Sequence, residues 1–129
     1  TMVRDLKEKK NIPGTQHEDK HPMVERCKDY IYAHLHGKIT LHEAAAELQI
    51  NPTYLSNLFR KYENLSFTDF VLMEKISLVK NLLVYSNYSY IEIASYLGFS
   101  SQSHLGKIFK DITGMTLREY RNAFGANDF

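Results

Sequence analysis

The sequence predicts an all-α protein, and two observations carry that prediction. A helix-turn-helix pattern occurs twice, from Thr40 to Lys61 and from Ser89 to Lys110. Between the copies, the stretch from Phe67 to Tyr85 contains neither proline nor glycine, as a single long helix requires. Two copies are too few for a solenoid, which needs three or more repeats. They suit a protein with two similar binding units.

The chain before the first copy is expected to contribute one helix. Residues 1–20 mix charges with a Pro-Gly turn and are predicted to form a linker. Pro22 suits the first position of the helix that follows. The helix then keeps an apolar face until Gly37, made of Val24, Cys27, Ile31 and Leu35.

The first copy begins where Thr40 and Glu43 fit a capping box. Its first helix presents an inward face of Leu41, Ala44, Ala45 and Leu48. Asn51 is predicted to cap the second helix, with Pro52 at its first position. The core side of that helix consists of Leu55, Leu58 and Phe59, and the outer side of Thr53, Ser56, Asn57 and Arg60.

The long helix is predicted to start at a Ser66 cap with Asp69 as the acidic partner. Its apolar positions are widely spread: Phe70, Val71, Val79, Leu82 and Leu83. At about 1.5 Å per residue this helix is about 28 Å long. Because the major groove repeats about every 34 Å on one face of DNA, such a helix can hold two units in successive grooves.

The second copy begins with a capping box of Ser89 and Glu92 and ends its first helix at Gly98. Ser100 is predicted to cap its second helix. The buried stripe of that helix is Leu105, Ile108 and Phe109, and the opposite face is Ser103, Gly106, Lys107 and Lys110. A polar and basic outer face of this kind suits the DNA major groove.

The two copies match residue by residue, with one shift. Glu43 matches Glu92 at one offset, and Leu55 matches Leu105 at an offset one residue larger. The second copy is therefore predicted to carry one extra residue in its turn. After it, Gly114 ends the helix, and Thr116 with Glu119 opens a last short helix. There Tyr120 is expected to pack inward, with Arg118 and Arg121 exposed to DNA phosphates.

From about His21 to Asn122 the chain resembles the DNA-binding domain of the AraC/XylS family of bacterial transcription regulators. The most specific segment runs from Ile91 to Arg121, IEIASYLGFSSQSHLGKIFKDITGMTLREYR. The resemblance implies seven helices: a first helix-turn-helix unit at 21–65, a linker helix at 66–86 and a second unit at 87–124. It also implies a sensor domain before residues 1–20, through which alone an effector would act, and RNA polymerase as a partner. Residues 125–129 are predicted to be a tail.

The chain departs from the family pattern at a few positions. Asn64 and Leu65 stand where the family usually has glycine before the long helix. The family also usually has Arg at Lys75, Ala at Val79, Phe at Leu105 and Pro at Leu117. These changes affect the expected base preference more than the fold.

Composition limits the classes of function. With 16 Lys and Arg against 15 Asp and Glu, the net charge is +1, so a DNA-binding surface requires that basic residues be sorted onto one side. No apolar run approaches the roughly 20 residues of a membrane helix, and no signal peptide is recognisable. The single cysteine, Cys27, excludes an internal disulfide and fits the reducing cytoplasm.

Other residues of the chain suggest functions different from DNA binding. Cys27 with His34 and His36 suggests a metal or small-molecule sensor, but the two histidines point some 200° apart on a helix. Tyr85, Tyr88 and Tyr90 suggest a platform for single strands, but are expected to seal a turn instead. A protein-interaction module is the main alternative, because helix-turn-helix folds also serve in docking. Ser77 and Lys80 match a hydrolase motif by chance, and no enzymatic activity or cofactor is expected.

We therefore predict a cytoplasmic, sequence-specific domain for duplex DNA, of a regulator that activates transcription. The predicted contacts lie on the second helix of each copy. They are Thr53, Ser56, Asn57, Arg60 and Lys61 in the first, and Ser101, Gln102, Ser103, His104, Lys107 and Lys110 in the second.

Overall fold

The structure, a computed structural model, describes residues 20–125. The predicted linker at 1–20 and tail at 125–129 lie outside these residues, apart from Lys20 and Gly125. The described part contains seven helices and no strand: α1 (Pro22–Ala33), α2 (Leu41–Leu48), α3 (Pro52–Glu63), α4 (Phe67–Tyr85), α5 (Tyr90–Tyr96), α6 (Gln102–Thr113) and α7 (Leu117–Phe124). The all-α prediction is confirmed. The described residues form two compact units, one of 20–33 with Thr40–Phe67 and one of His34–Ile39 with 68–125.

The first unit is a three-helix packing of α1, α2 and α3. Its buried residues are Val24, Cys27, Ile31, Ala44, Ala45, Leu48, Leu55, Leu58, Phe59 and Phe67. The Phe59 and Phe67 rings meet edge to face, with centroids 5.7 Å apart. An ion pair of Lys28 and Glu63, with 2.7 Å between nitrogen and oxygen, links α1 to the end of α3.

The first helix ends earlier than its apolar pattern predicts. It stops at Ala33, and the Gly37 N–H donates to the His34 carbonyl in a turn that follows. Leu35 is buried as predicted, but it lies in the 34–39 segment that belongs to the second unit. The helical pattern of apolar residues included Leu35, but Leu35 is buried by tertiary packing and not as part of α1.

The second unit packs α5, α6 and α7 against α4. Its core consists of Ile76, Val79, Leu83, Ile93, Ala94, Leu97, Leu105, Phe109 and Leu117. Tyr120 packs edge to face on Phe109 with centroids 5.4 Å apart, as expected. Only the first residue of α4 belongs to the first unit, so the long helix mainly serves the core of the second.

The buried Lys75 of α4 fixes the 34–39 segment. Its ammonium donates to the carbonyl oxygens of Gly37 and Leu97, both at 2.6 Å, and lies 5.7 Å from the centre of the Phe99 ring. Burial lowers the pKa of Lys75. The hydrogen bonds to these two carbonyls compensate in part for the hydration that the Lys75 ammonium loses on burial. This amine therefore joins the end of α5 to a segment far away in the sequence.

Candidate nucleic-acid interface

The turn of each helix-turn-helix unit is built by the same backbone hydrogen bonds. In the first, the Gln49 N–H donates to the Ala46 carbonyl and the Ile50 N–H to the Ala45 carbonyl. In the second, the Gly98 N–H donates to Ser95 and the Phe99 N–H to Ala94. Both are Schellman motifs around a left-handed residue.

The caps of α3 and α6 confirm the predicted extra residue. Asn51 caps α3 by accepting from the Tyr54 N–H at 3.1 Å, so only Ile50 separates the left-handed residue from the cap. Ser101 caps α6 by accepting from the His104 N–H at 2.9 Å, which leaves two residues in the second turn. The expected cap at Ser100 is wrong by one position, because Ser100 instead contacts His104 Nδ1 through its hydroxyl at 3.1 Å.

The outer face of α6 is exposed to solvent. On the opposite side of the helix Leu105 and Phe109 are fully buried, whereas Ile108, predicted to be buried with them, is half-buried. The predicted contacts Ser101, Gln102, Ser103, His104, Lys107 and Lys110 are all exposed. The Ser101 hydroxyl is also engaged in its cap, so its role in the fold is separate from any contact with DNA.

The outer face of α3 has the same organisation. Leu55 and Phe59 are fully buried, while Thr53, Asn57, Arg60 and Lys61 are exposed and Ser56 is half-buried. Tyr54 is a further candidate for this face that the sequence analysis did not include: its side chain is 50% exposed, and it lies at i, i+3, i+7 spacing with Asn57 and Lys61. That spacing was readable in the sequence, but an aromatic residue on a helix is usually assigned to the core.

Arg121 is half-buried, and the prediction that it is exposed is wrong. Its Nε donates to the Leu83 carbonyl at 3.0 Å, and an Nη donates to Leu82 and Ser86 at 3.3 and 3.2 Å. The guanidinium also lies 5.3 Å from the centre of the Tyr90 ring. Leu82 and Leu83 lie in the last turn of α4, at the negative end of the helix, where carbonyl oxygens accept well from a cation. Arg118, by contrast, is exposed.

Neither the metal site suggested by Cys27 nor the turn-sealing role of the tyrosines agrees with the structure. Cys27 is fully buried, and burial raises its pKa to about 12, so the thiol stays protonated and is a poor ligand. Within residues 20–125 no three His, Cys, Asp or Glu side chains gather as a metal site would require. Tyr85 and Tyr88 are 76% and 49% exposed and so are not buried in the turn as expected, whereas Tyr90 is half-buried against the Arg121 guanidinium. In the same range, the helices are all too short or too polar to cross a membrane.

The fold and the paired outer faces define a double helix-turn-helix protein, and comparisons with known proteins agree. Residues 44–123 match a family described as a helix-turn-helix domain. The regulatory protein PocR of Salmonella typhimurium is 32% identical over 113 residues, covering 88% of this chain and 36% of PocR. The chain thus spans about a third of the length of that relative.

Two solved structures show the same architecture. The C-terminal domain of AraT, a response regulator from Geobacillus stearothermophilus, superposes with a TM-score of 0.81 at 25% identity, covering 84% of this chain and 91% of that one. The DNA-binding domain of the transcriptional factor AdpA, solved with a target DNA, gives a TM-score of 0.74 at 23% identity, covering 78% and 91%. The chain belongs to the AraC/XylS family of transcription regulators and corresponds to its C-terminal DNA-binding domain.

Proposed function

We propose that this domain recognises specific sequences in duplex DNA, with α3 and α6 each entering a major groove. The observation that carries this is the equivalent exposure of the two outer faces. Each face is polar and basic, each lies opposite a fully buried Leu and Phe pair, and each follows the same type of turn. AdpA, which shares the fold, was solved with its target DNA.

The two units are proposed to prefer different bases. Asn57 in α3 and Lys107 in α6 hold matching outer positions and are both exposed. An Asn amide pairs with the N6 and N7 edge of adenine, whereas a Lys ammonium prefers the O6 and N7 acceptors of guanine. We expect an A·T preference under α3 and a G·C contact under α6.

Affinity is proposed to come from phosphate contacts made by Arg60, Lys61, Lys107, Lys110 and Arg118. These five cations are exposed. Because the net charge of the chain is only +1, we expect a shallower salt dependence than a strongly basic domain shows.

The family suggests the wider role. We propose activation of transcription in the bacterial cytoplasm, with RNA polymerase recruited to promoters. The 19-residue helix α4, about 28 Å long, would space the two units for successive major grooves.

A mobility-shift assay with duplex DNA selected from a random pool tests the proposal. Affinity should fall steeply with salt, because each phosphate contact contributes slightly under one unit to the log–log slope. A footprint should show two short protected segments about one helical turn apart. Equal, salt-insensitive behaviour towards all duplexes, or no binding, would favour the protein-interaction alternative.

A further inference from the structure

Gly106 is an unexpected residue for its place in the fold. It lies in the middle of α6, between Leu105 and Lys107 on the outer half of the helix. Glycine is the least favourable residue in a helix interior after proline, since it gives up the most backbone freedom. Alanine or serine would form this helix more readily.

Neither the backbone nor the packing requires glycine here. The positive-φ residues of the described part of the chain are Gln49, Asn64, Gly98 and Gly114, so Gly106 keeps an ordinary helical conformation. A Cβ atom built on Gly106 meets nothing within 4 Å. Within the protein, therefore, a side chain at this position would be free of steric cost.

The space in front of Gly106 has the chemistry of an anion site. It is an open cleft of about 400 Å³ between α6 and the start of α7. Its lining includes Gln102, Ser103, Lys107, Thr116 and Arg118. Two cations, two hydroxyl groups and an amide thus line the cleft together with Tyr90 and Leu117, and Gly106 contributes no side chain to it.

We propose that one DNA strand lies in this cleft, with a phosphodiester against the backbone of α6 at Gly106 and beside Arg118. Glycine is the residue that lets a ligand approach a backbone most closely. A Cβ here would hold the strand away from Arg118. The proposal rests on the proposed function, and it adds which residue sets the depth of the DNA on the second unit.

The test uses Gly106→Ala and Gly106→Val on the full chain, with the selected duplex as probe. Gly106→Ala should raise the melting temperature, because the helix forms more readily, and yet weaken binding by about tenfold, the value of one good contact. Gly106→Val should weaken binding further. Although neither change alters charge, the log–log salt slope should fall by about one as the phosphate is displaced.

Ser77→Ala is the matched control. Ser77 is an exposed residue inside α4, so its replacement also favours a helix without changing charge. Its melting temperature should rise with no loss of affinity. Gly106→Ala with a raised melting temperature but unchanged affinity and salt slope would overturn the inference. Failure of the unmutated chain to bind any duplex would overturn the proposed function itself.

Discussion

The two helix-turn-helix units place different residues at the left-handed positions that end their helices. Each unit has two left-handed residues that end a helix. In the first they are Gln49 and Asn64, both at φ 61°, and in the second they are Gly98 and Gly114, at 77° and 82°. A left-handed conformation costs a side-chain-bearing residue about 1–2 kcal/mol, which glycine avoids. The first unit therefore stores strain in its turns that the second does not.

The largest expected effect comes from Ser77→Pro in α4. Proline removes a helix hydrogen bond and clashes with the preceding turn, which costs roughly 3 kcal/mol or more. Because α4 supplies Ile76, Val79 and Leu83 to the second core, amide protection should fall in α5–α7 and persist in α1–α3. DNA binding should fall sharply. Hydrogen exchange measures the difference, with Ser77→Ala as control; equal loss in both units would mean that they unfold together.

Gly98→Ala is expected to be the next most damaging change. A Cβ there lies 3.0 Å from the Gly37 carbonyl carbon and 3.2 Å from Lys75 Nζ. The conformational cost and the crowding together should remove roughly 2–4 kcal/mol from the free energy of unfolding. A Cβ at Gly114 meets nothing within 4 Å. Gly114→Ala should therefore lower the free energy of unfolding by the conformational cost alone, about 1–2 kcal/mol. Equal losses in urea unfolding would contradict the packing role of Gly98.

Alkaline pH should act on the two units with opposite sign. Burial raises the pKa of Cys27 from 9.0 to about 12, so its contribution to stability is complete below pH 9 and is lost as the pH rises towards 12. Burial lowers the pKa of Lys75 below 10.5, so its contribution is present above pH 10.5 and is lost as the pH falls through the lowered value.

Urea unfolding at pH 9 and 10.5 separates these two contributions. The unmutated chain should lose about 2 kcal/mol more over this interval than Cys27→Ala does, at about 1.4 kcal/mol per pH unit. Lys75→Met should lose more than the unmutated chain, because it lacks the compensating gain. Identical pH profiles for all three proteins would rule out both assignments.

The outer faces should differ in the base they select. Lys107→Ala should cost about 1–3 kcal/mol of binding and relax selection at one base pair under α6. Asn57→Arg should shift the preference under α3 towards guanine. Lys110→Ala is the control for a phosphate contact, since it should weaken all sequences alike. If Lys107→Ala also weakens all sequences alike, Lys107 contacts only the DNA backbone.

The smallest expected effect is a gain in the first unit. Gln49→Gly should raise the free energy of unfolding by up to about 1 kcal/mol, since it relieves a left-handed side chain at some cost in unfolded-chain entropy. Asn64→Gly should gain less, because Asn tolerates this conformation better than Gln. Gln49→Ala, measured beside them, should show no gain. A loss on Gln49→Gly would mean that the Gln49 side chain itself stabilises the turn.

This contrast also explains what the sequence could predict. Helix order, caps and outer faces follow from local patterns, so α2, α5 and the Ser89–Glu92 capping box were predicted correctly. Thr40 caps α2 as predicted, but the predicted capping box is incomplete. The Glu43 carboxylate accepts from the Thr40 hydroxyl and not from the Thr40 backbone N–H. Because glycine is the usual residue for a left-handed helix end, Gly98 and Gly114 predict the turns where they lie. Gln49 is not typical of that conformation, so its turn could not be predicted from the residue type.

Long-range contacts lay beyond local patterns. Arg121 donates to carbonyls of residues 35–39 positions earlier in the chain, and Lys75 to a carbonyl 38 positions earlier. Periodicity places such cations on a helix face but does not name their acceptors. That is why Arg121 was expected at the DNA and instead caps α4.

The 34–39 segment has a consequence for how this domain can be divided. Although it connects α1 to α2, it belongs with the second unit, and its Gly37 carbonyl accepts from Lys75. A gene fragment that begins at α4 would leave that ammonium buried with one of its acceptors missing. The units are therefore repeats in pattern but not interchangeable cassettes, and a hybrid regulator that borrows α4–α7 must also inherit the short stretch around Gly37.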